Sequence, residues 1–186
     1  MRIIAGIAKN RKIKAPKGHH TRPITDMIKE ALFNVLNTRV NKANFLDMFA
    51  GSGSVGIEAL SRGAELVIFI DNDKEAIKII KDNLAHCNFT TNFEVYKNDV
   101  FKAINILKTR QIVFDIIYID PPFDKTELFT EVILCIDNEK SLIKQDGVVI
   151  IRTPNKFVLP EEYSNLMKYR HNKYGESALH YYVIKS

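Results

Sequence analysis

With 186 residues the chain is long enough for one domain with a substantial core and short for two, and 46% hydrophobic against 26% charged residues is a globular balance. No apolar run approaches the ~20 residues needed to cross a membrane, and Ile3 to Ala8 runs straight into Lys9, Arg11 and Lys12 rather than into a cleavage site, which favours a cytoplasmic protein over a secreted one. The net charge of +5 sits in residues 1–23, which hold Arg2, Lys9, Arg11, Lys12, Lys14, Lys17 and Arg22 and no acid, leaving 20 basic against 22 acidic side chains elsewhere.

A basic arm on a slightly acidic body suits a polyanionic partner, because each phosphate it neutralises releases counterions. A solvated tail that aids solubility is the alternative. Arg2 to Ala8 and Arg11 to Ala15 read as two short strands around a Lys9-Asn10 turn, a small basic N-terminal β-hairpin extension over residues 1–24. Residues 25–186 form the main domain. Thr25 and Asp26 open a helix whose Ile28, Ala31, Leu32, Val35 and Leu36 make one stripe. Phe45 to Leu60 then reads as strand, glycine-rich turn and helix.

Further strands are expected at Leu66 to Ile70, Phe93 to Tyr96, Phe114 to Ile119 and Val148 to Ile151, several almost continuous in Leu, Ile, Val and Phe, as in a parallel sheet covered on both faces. Amphipathic helices alternate with them, clearest at Lys74 to Cys87 and Val100 to Thr109. Leu166 to Tyr174 and Ala178 to Lys185 meet through Gly175 with no helix between, a closing antiparallel hairpin. The fold class is α/β: an open, Rossmann-like, mostly parallel sheet with its ligand site at the C-terminal strand ends. Cys87 and Cys135 have no Cys or His cluster around them and read as reduced packing residues, with no metal site; the five histidines are scattered, only His19-His20 being adjacent.

Gly51, Gly53 and Gly56 have the spacing G-x-G-x-x-G, which brings backbone N–H groups and a helix N-terminus to a ligand or simply packs a strand against a helix. Asp71, at the end of the next strand and 20 residues past Gly51, is placed to accept both hydroxyls of a ribose, or to join Asn72 and Asp73 in capping a helix. Asp99 can accept from an adenine amino group or cap the helix that starts at Val100. No Lys-Ser/Thr follows Gly56, so this is not a P-loop. Asp47, four residues before Gly51, would oppose a pyrophosphate and suits a cationic ligand. S-adenosylmethionine, with an adenosine, an ammonium and no phosphate, is therefore preferred to NAD. Glu58 reads equally as an acid behind the site or as surface, and Lys168, Arg170, His171 and Lys173 as a further RNA face or an exposed strand.

Asp120-Pro121-Pro122-Phe123 is the most specific stretch. Two prolines after a buried strand make a rigid turn, so the Asp120 carboxylate and the Pro121 carbonyl converge as acceptors suited to an exocyclic amine. Drawing on its hydrogens restores electron density to the nitrogen, and Phe123 offers a face to an extruded base.

FLDMFAGSGSVGIEALSRGA, FIDND, NDV and DPPF, in this order, resemble the motifs of S-adenosylmethionine-dependent amino-methyltransferases. RIIAGIAKNRKIKAPKGHHTRPITDMIKEALFNVL and YGESALHYY resemble the two ends of the bacterial family that methylates a guanine N2 in small-subunit (16S) ribosomal RNA. The resemblance implies a class I methyltransferase sheet acting on ribosomal RNA within a small ribosomal subunit or its assembly intermediate; a monomer without membrane association is expected. By it Gly51, Ser52 and Gly53 line the methionine end of the cofactor, with Asp47 and Gly56 beside them. Asp71 takes the ribose and Asp99 the adenine, with Asn72, Asn98 and Val100 as further cofactor-binding candidates, and Asp120, Pro121, Pro122 and Phe123 hold the base. Arg2, Lys9, Arg11, Lys12, Lys14 and Arg22 meet RNA. Ile24 and Met27 depart from the polar and basic residues expected after Arg22-Pro23. DNA adenine or cytosine methylation, a nicotinamide-dependent oxidoreductase and a non-catalytic RNA-binding assembly factor are the rival readings.

Overall fold

The structure is a computed structural model and describes residues 1–15 and 24–185. Arg22 and the His19-His20 pair lie outside the described residues. Helix α1 (Asp26–Leu36) starts where the Thr25 hydroxyl accepts from the Ile28 N–H at 3.3 Å. Strand β1 (Asn44–Met48) leads through the glycine turn into α2 (Ser54–Ser61), and β2 (Leu66–Asp71) into α3 (Lys74–His86), capped by Asp73. Strand β3 (Phe93–Lys97) precedes α4 (Val100–Thr109), and β4 (Phe114–Ile119) precedes α5 (Thr126–Asn138), a helix that the parallel crossover requires although its periodicity did not single it out. Strands β5 (Ile143–Pro154), β6 (Leu166–Tyr174) and β7 (Ser177–Ile184) finish the sheet.

The seven strands run in the order β3-β2-β1-β4-β5-β7-β6. β1 to β5 pair in parallel, while β7 is antiparallel to both β5 and β6, so the expected hairpin closes one edge. Alternate residues of each strand feed two cores. Phe45, Val67, Phe69, Ile116 and Ile150 pack on one side, and Leu46, Ile68, Ile70, Ile117 and Ile151 on the other. Burial of both faces explains why these strands read as unbroken apolar runs. The strand order reverses between β1 and β4, where the C-terminal ends splay around a crevice.

Gly56 illustrates how tightly the first core is closed. A Cβ there would lie 2.2 Å from Cε1 of Phe69 and 2.9 Å from Cγ1 of Val67. Gly56→Ala is expected to destabilise the protein by ~1–3 kcal/mol through overpacking, and Phe69→Leu in the same chain to recover part of the loss. Urea unfolding of the single and double variants checks this; equal midpoints for Gly56→Ala and parent would contradict it.

The N-terminal arm departs from the two expected strands. A single antiparallel bridge joins Arg2 to Lys12, and residues between them turn through Gly6 at φ 81°. The arm's backbone bonds are divided: Ile3 N–H donates to the Arg11 carbonyl at 2.9 Å and Ile13 N–H to the Met1 carbonyl at 3.1 Å across the turn, while others go to side chains of the rest of the chain. Glu58 accepts the Ile4 and Ala5 N–H groups at 2.7 and 3.0 Å, and Ser61 Oγ accepts the Ala8 N–H at 2.9 Å. Asn83 bonds both the N–H and the carbonyl of Lys14 and also the carbonyl of Ser52. Ile3, Ala8 and Ile13 enter the first core. Glu58 is therefore neither surface nor idle: it is fully buried and lies 3.5 Å from the Nζ of Lys29, itself fully buried.

Candidate active site

The ends of β1, β2 and β4 and the start of α2 enclose a cavity of about 220 Å³. Of the residues proposed from sequence, Asp47, Gly51, Ser52, Asp71, Asn72 and Asp120 to Phe123 all line it. Ile24 also does, so its departure from a polar residue gives the wall an apolar panel, whereas Met27 is 62% exposed. Gly53, Gly56, Asn98, Asp99 and Val100 are not on the wall. Gly53 shapes the turn, with φ 74°, and Gly56 packs on Phe69. Asp99 Oδ1 caps α4 by accepting from Phe101 and Lys102. The Asn98 N–H donates to the Asp71 carbonyl at 3.0 Å.

Asp71 is braced rather than free. Its Oδ2 accepts from Gly51 N–H at 2.8 Å and its Oδ1 from Asp73 N–H at 2.9 Å, which ties the end of β2 to the glycine turn. Each carboxylate oxygen keeps a second lone pair for a ligand hydroxyl. Burial pushes the Asp71 carboxyl above the usual range, against the pull of these N–H groups.

Asp47 requires a correction. Phe45 and Asp47 share a face of β1, so the acid points under α2, 1% exposed, with Oδ2 accepting from Gly56 N–H at 2.8 Å. Burial, the largest influence, pushes its carboxyl well above the usual range, with Asp120 and Asp71 adding to the rise. An argument from a full charge on Asp47 therefore loses its force. The selectivity of the wall rests instead on its other acids: Asp71, Asp73 and Asp120 against one cation, Lys125, among the described residues. A phosphate meets repulsion there, and a cation with hydroxyls does not.

The folded protein holds the Asp47 proton more tightly than the unfolded chain. The acid's contribution to stability is therefore greatest at low pH and is lost as pH rises through the raised native value. Asp47→Asn keeps an acceptor for Gly56 and is expected to melt higher than the parent at pH ~8, the gain shrinking toward pH ~4, with each kcal/mol worth about 2–4 °C at this size. Equal melting temperatures at both pH values would refute it.

Asp120 follows β4, and both of its bonds end on one oxygen. Oδ2 accepts from Arg152 Nη1 at 2.8 Å and from the Tyr118 hydroxyl at 3.2 Å, which leaves Oδ1 with no donor among the described residues. Phe123 packs edge-on to Phe129, with centroids 6.1 Å apart.

A family model described as Conserved hypothetical protein 95 matches residues 1–183. The chain belongs to this family. The putative rRNA methyltransferase YlbH of Bacillus subtilis is 38% identical over 175 residues, 94% of each chain. Ribosomal RNA small subunit methyltransferase D of Escherichia coli K12 is 31% identical over 182 residues, covering 98% of this chain and 89% of that one. The solved structure of putative methyltransferase yhhF from Escherichia coli aligns with a TM-score of 0.83 at 30% identity, over 100% of this chain and 98% of that one. With such relatives, this Conserved hypothetical protein 95 member is a methyltransferase with the Rossmann-like fold read from its sequence.

Some residues of this family member escaped the sequence reading. Arg152 and Tyr118, which hold Asp120, sit inside apolar strands with no motif around them. Lys29, on the buried face of α1, donates to the Arg2 carbonyl at 2.6 Å and to Ser54 Oγ at 3.0 Å. Of the arm's cations, Arg2 pairs with Asp26 and Arg11 donates to the His86 carbonyl, while Lys9 and Lys12 are exposed without an ion pair to a described residue. Lys168 is not an RNA contact: its side chain is 4% exposed and is tied to the Leu159 carbonyl and to Glu161.

Proposed function

We propose that this protein transfers a methyl group from S-adenosylmethionine to the exocyclic N2 amine of a guanine in small-subunit (16S) ribosomal RNA. The observation that carries the reading is the Asp120 carboxylate, on the wall of the same cavity as Asp71, with Oδ1 free of donors among the described residues. The relatives named for ribosomal RNA methylation supply the substrate class. Guanine N2 rests on the resemblance of the chain's two ends to that family.

The donor set suits the cofactor. Three acids and the glycine turn face an adenosine and an ammonium, and the apolar Ile24, Phe49 and Val55 line the rest. Gly51 and Ser52 take the methionine end, Asp71 the ribose, and Asp99, beyond the wall, the adenine edge. When bound, S-adenosylmethionine supplies a methyl group on a sulfonium. Asp120 Oδ1 and the Pro121 carbonyl accept the hydrogens of the amine, orient its lone pair toward the cavity and offset the positive charge that grows on nitrogen. Phe123 gives the base a stacking face. Lys9 and Lys12, with the other arm cations, draw in the RNA backbone. We take residues 1–24 as an RNA-binding extension of one methyltransferase domain, acting as a monomer in the cytoplasm; no helix among the described residues is long and apolar enough to cross a membrane.

The test is labelled-methyl transfer to naked 16S RNA and to small-subunit particles, followed by digestion to nucleosides. N2-methylguanosine is expected. N6-methyladenine as the sole product would point to the adenine enzymes, and tight NAD binding with none for S-adenosylmethionine to an oxidoreductase.

A further inference from the structure

Arg152 is the bulkiest of the fully buried side chains among the described residues, 1% exposed at the end of β5. A buried charge is costly unless it is paired, so its partners are informative. In the parallel register Ile119 faces Ile151, which puts Arg152 level with Asp120. Nη1 donates to Asp120 Oδ2 at 2.8 Å, Nε to Ser177 Oγ of β7 at 3.3 Å, and Cζ lies 4.9 Å from the centre of the Phe123 ring. One guanidinium thus touches both working groups of the 120–123 turn. With Nε held by Ser177, the Nη1 bond to Oδ2 orients the carboxylate, and the cation lies over one face of the aromatic ring. The Tyr118 hydroxyl, on the same Oδ2, reinforces that orientation.

We propose that Arg152 is the positioning residue of the methyl-acceptor turn, holding Asp120 so that Oδ1 is left to the substrate amine and closing one face of Phe123 so that a base stacks on the other. This rests on the reading of residues 120–123 as the acceptor site. Ser177 anchors the arrangement from the far side of the sheet's switch to antiparallel pairing. Arg152 has an electrostatic part as well: burial pushes the Asp120 carboxyl up, and Arg152 is the strongest influence holding it down. Without the guanidinium the carboxyl keeps its proton to a higher pH, and a protonated Asp120 is a poorer acceptor.

The test follows the Asp120 carboxyl carbon by NMR across about pH 5 to 9 in the parent, Arg152→Met and Arg152→Lys without RNA, beside methyl transfer over the same range. In Arg152→Met, the Asp120 titration and the acid limb of kcat should both move to higher pH. Its kcat should fall ~100-fold while KM for S-adenosylmethionine stays within about threefold. Arg152→Lys, with a charge but no second donor to hold Ser177, should return the acid limb toward the parent and recover only part of kcat. A folded Arg152→Met with an unmoved titration and an unmoved acid limb overturns the proposal. If Arg152→Met does not fold, Arg152→Lys decides, and a parental kcat in that variant overturns it. A moved Asp120 titration in a protein whose parent form methylates no RNA would keep the Arg152–Asp120 coupling and remove the acceptor reading on which the role depends.

Discussion

Asp120→Asn is expected to lower methyl transfer about 100- to 1000-fold and to leave S-adenosylhomocysteine affinity within about threefold. The amide is nearly isosteric but carries one acceptor and one donor where the turn needs two acceptors. If its oxygen takes the place of Oδ2, it satisfies Arg152 and Tyr118, and its NH₂ then confronts the hydrogens of the substrate amine. If it flips, the NH₂ meets the guanidinium instead, and a buried cation loses its carboxylate. Neither orientation restores the pair. Cofactor affinity survives because Asp71 and the glycine turn brace each other without Asp120. Single-turnover transfer of a labelled methyl group, with calorimetry of S-adenosylhomocysteine, separates the two effects. Parental turnover in Asp120→Asn would end the acceptor assignment.

Glu58→Ala carries the largest expected loss of stability, ~3–5 kcal/mol, because it removes one partner of a buried ion pair and leaves the other in place. Glu58 gathers Lys29, Arg62 and two backbone N–H groups of the arm at a position with no exposure. Burial already pushes the Lys29 ammonium below its usual range, and Glu58 is the main influence holding it up. Without Glu58, Lys29 keeps only the Arg2 carbonyl and Ser54 Oγ as hydrogen-bond acceptors among the described residues, and Ile4 and Ala5 lose their acceptor. Adding Lys29→Met should recover a large part of the loss, since it removes the stranded charge. Urea unfolding of the four members of this cycle measures it. A Glu58→Ala variant within 1 kcal/mol of the parent would contradict the buried pair's importance; that threshold is about the lower end of buried-group effects.

The alternating sheet and its helices were readable because a strand buried on both faces needs an unbroken apolar run, and that run is a local property of the chain. Gly51, Ser52, Asp71 and the 120–123 turn were readable for the same reason, since each belongs to a short motif at a strand end. Arg152 was not: its reason lies 32 residues away in Asp120 and 25 away in Ser177. Glu58 read equally as an acid behind the site or as surface, and Lys29 carried no signal, until the arm covers them. Asp47 was legible as an acid near the turn, but its protonation depends on what packs above β1, which no spacing reveals. The arm's alternation resembled strands, and Ile3 and Ile13 do bond across it to Arg11 and Met1, but at Ile4 and Ala5 the Glu58 carboxylate takes the place of a backbone partner.

The docking of the arm also sets an order of events. Residues 1–15 are synthesised before residues 58, 61 and 83, the acceptors and donors they bind across 53 to 69 positions of chain. At about 5–20 residues per second, that separation is several seconds in which Ile3 and Ile13 have nothing to bury against. Arg2, Lys9, Arg11, Lys12 and Lys14 punctuate those isoleucines. Positive charges so placed act as gatekeepers against aggregation of a waiting apolar segment. The same positive charges keep the arm soluble while its own docking site is still being made.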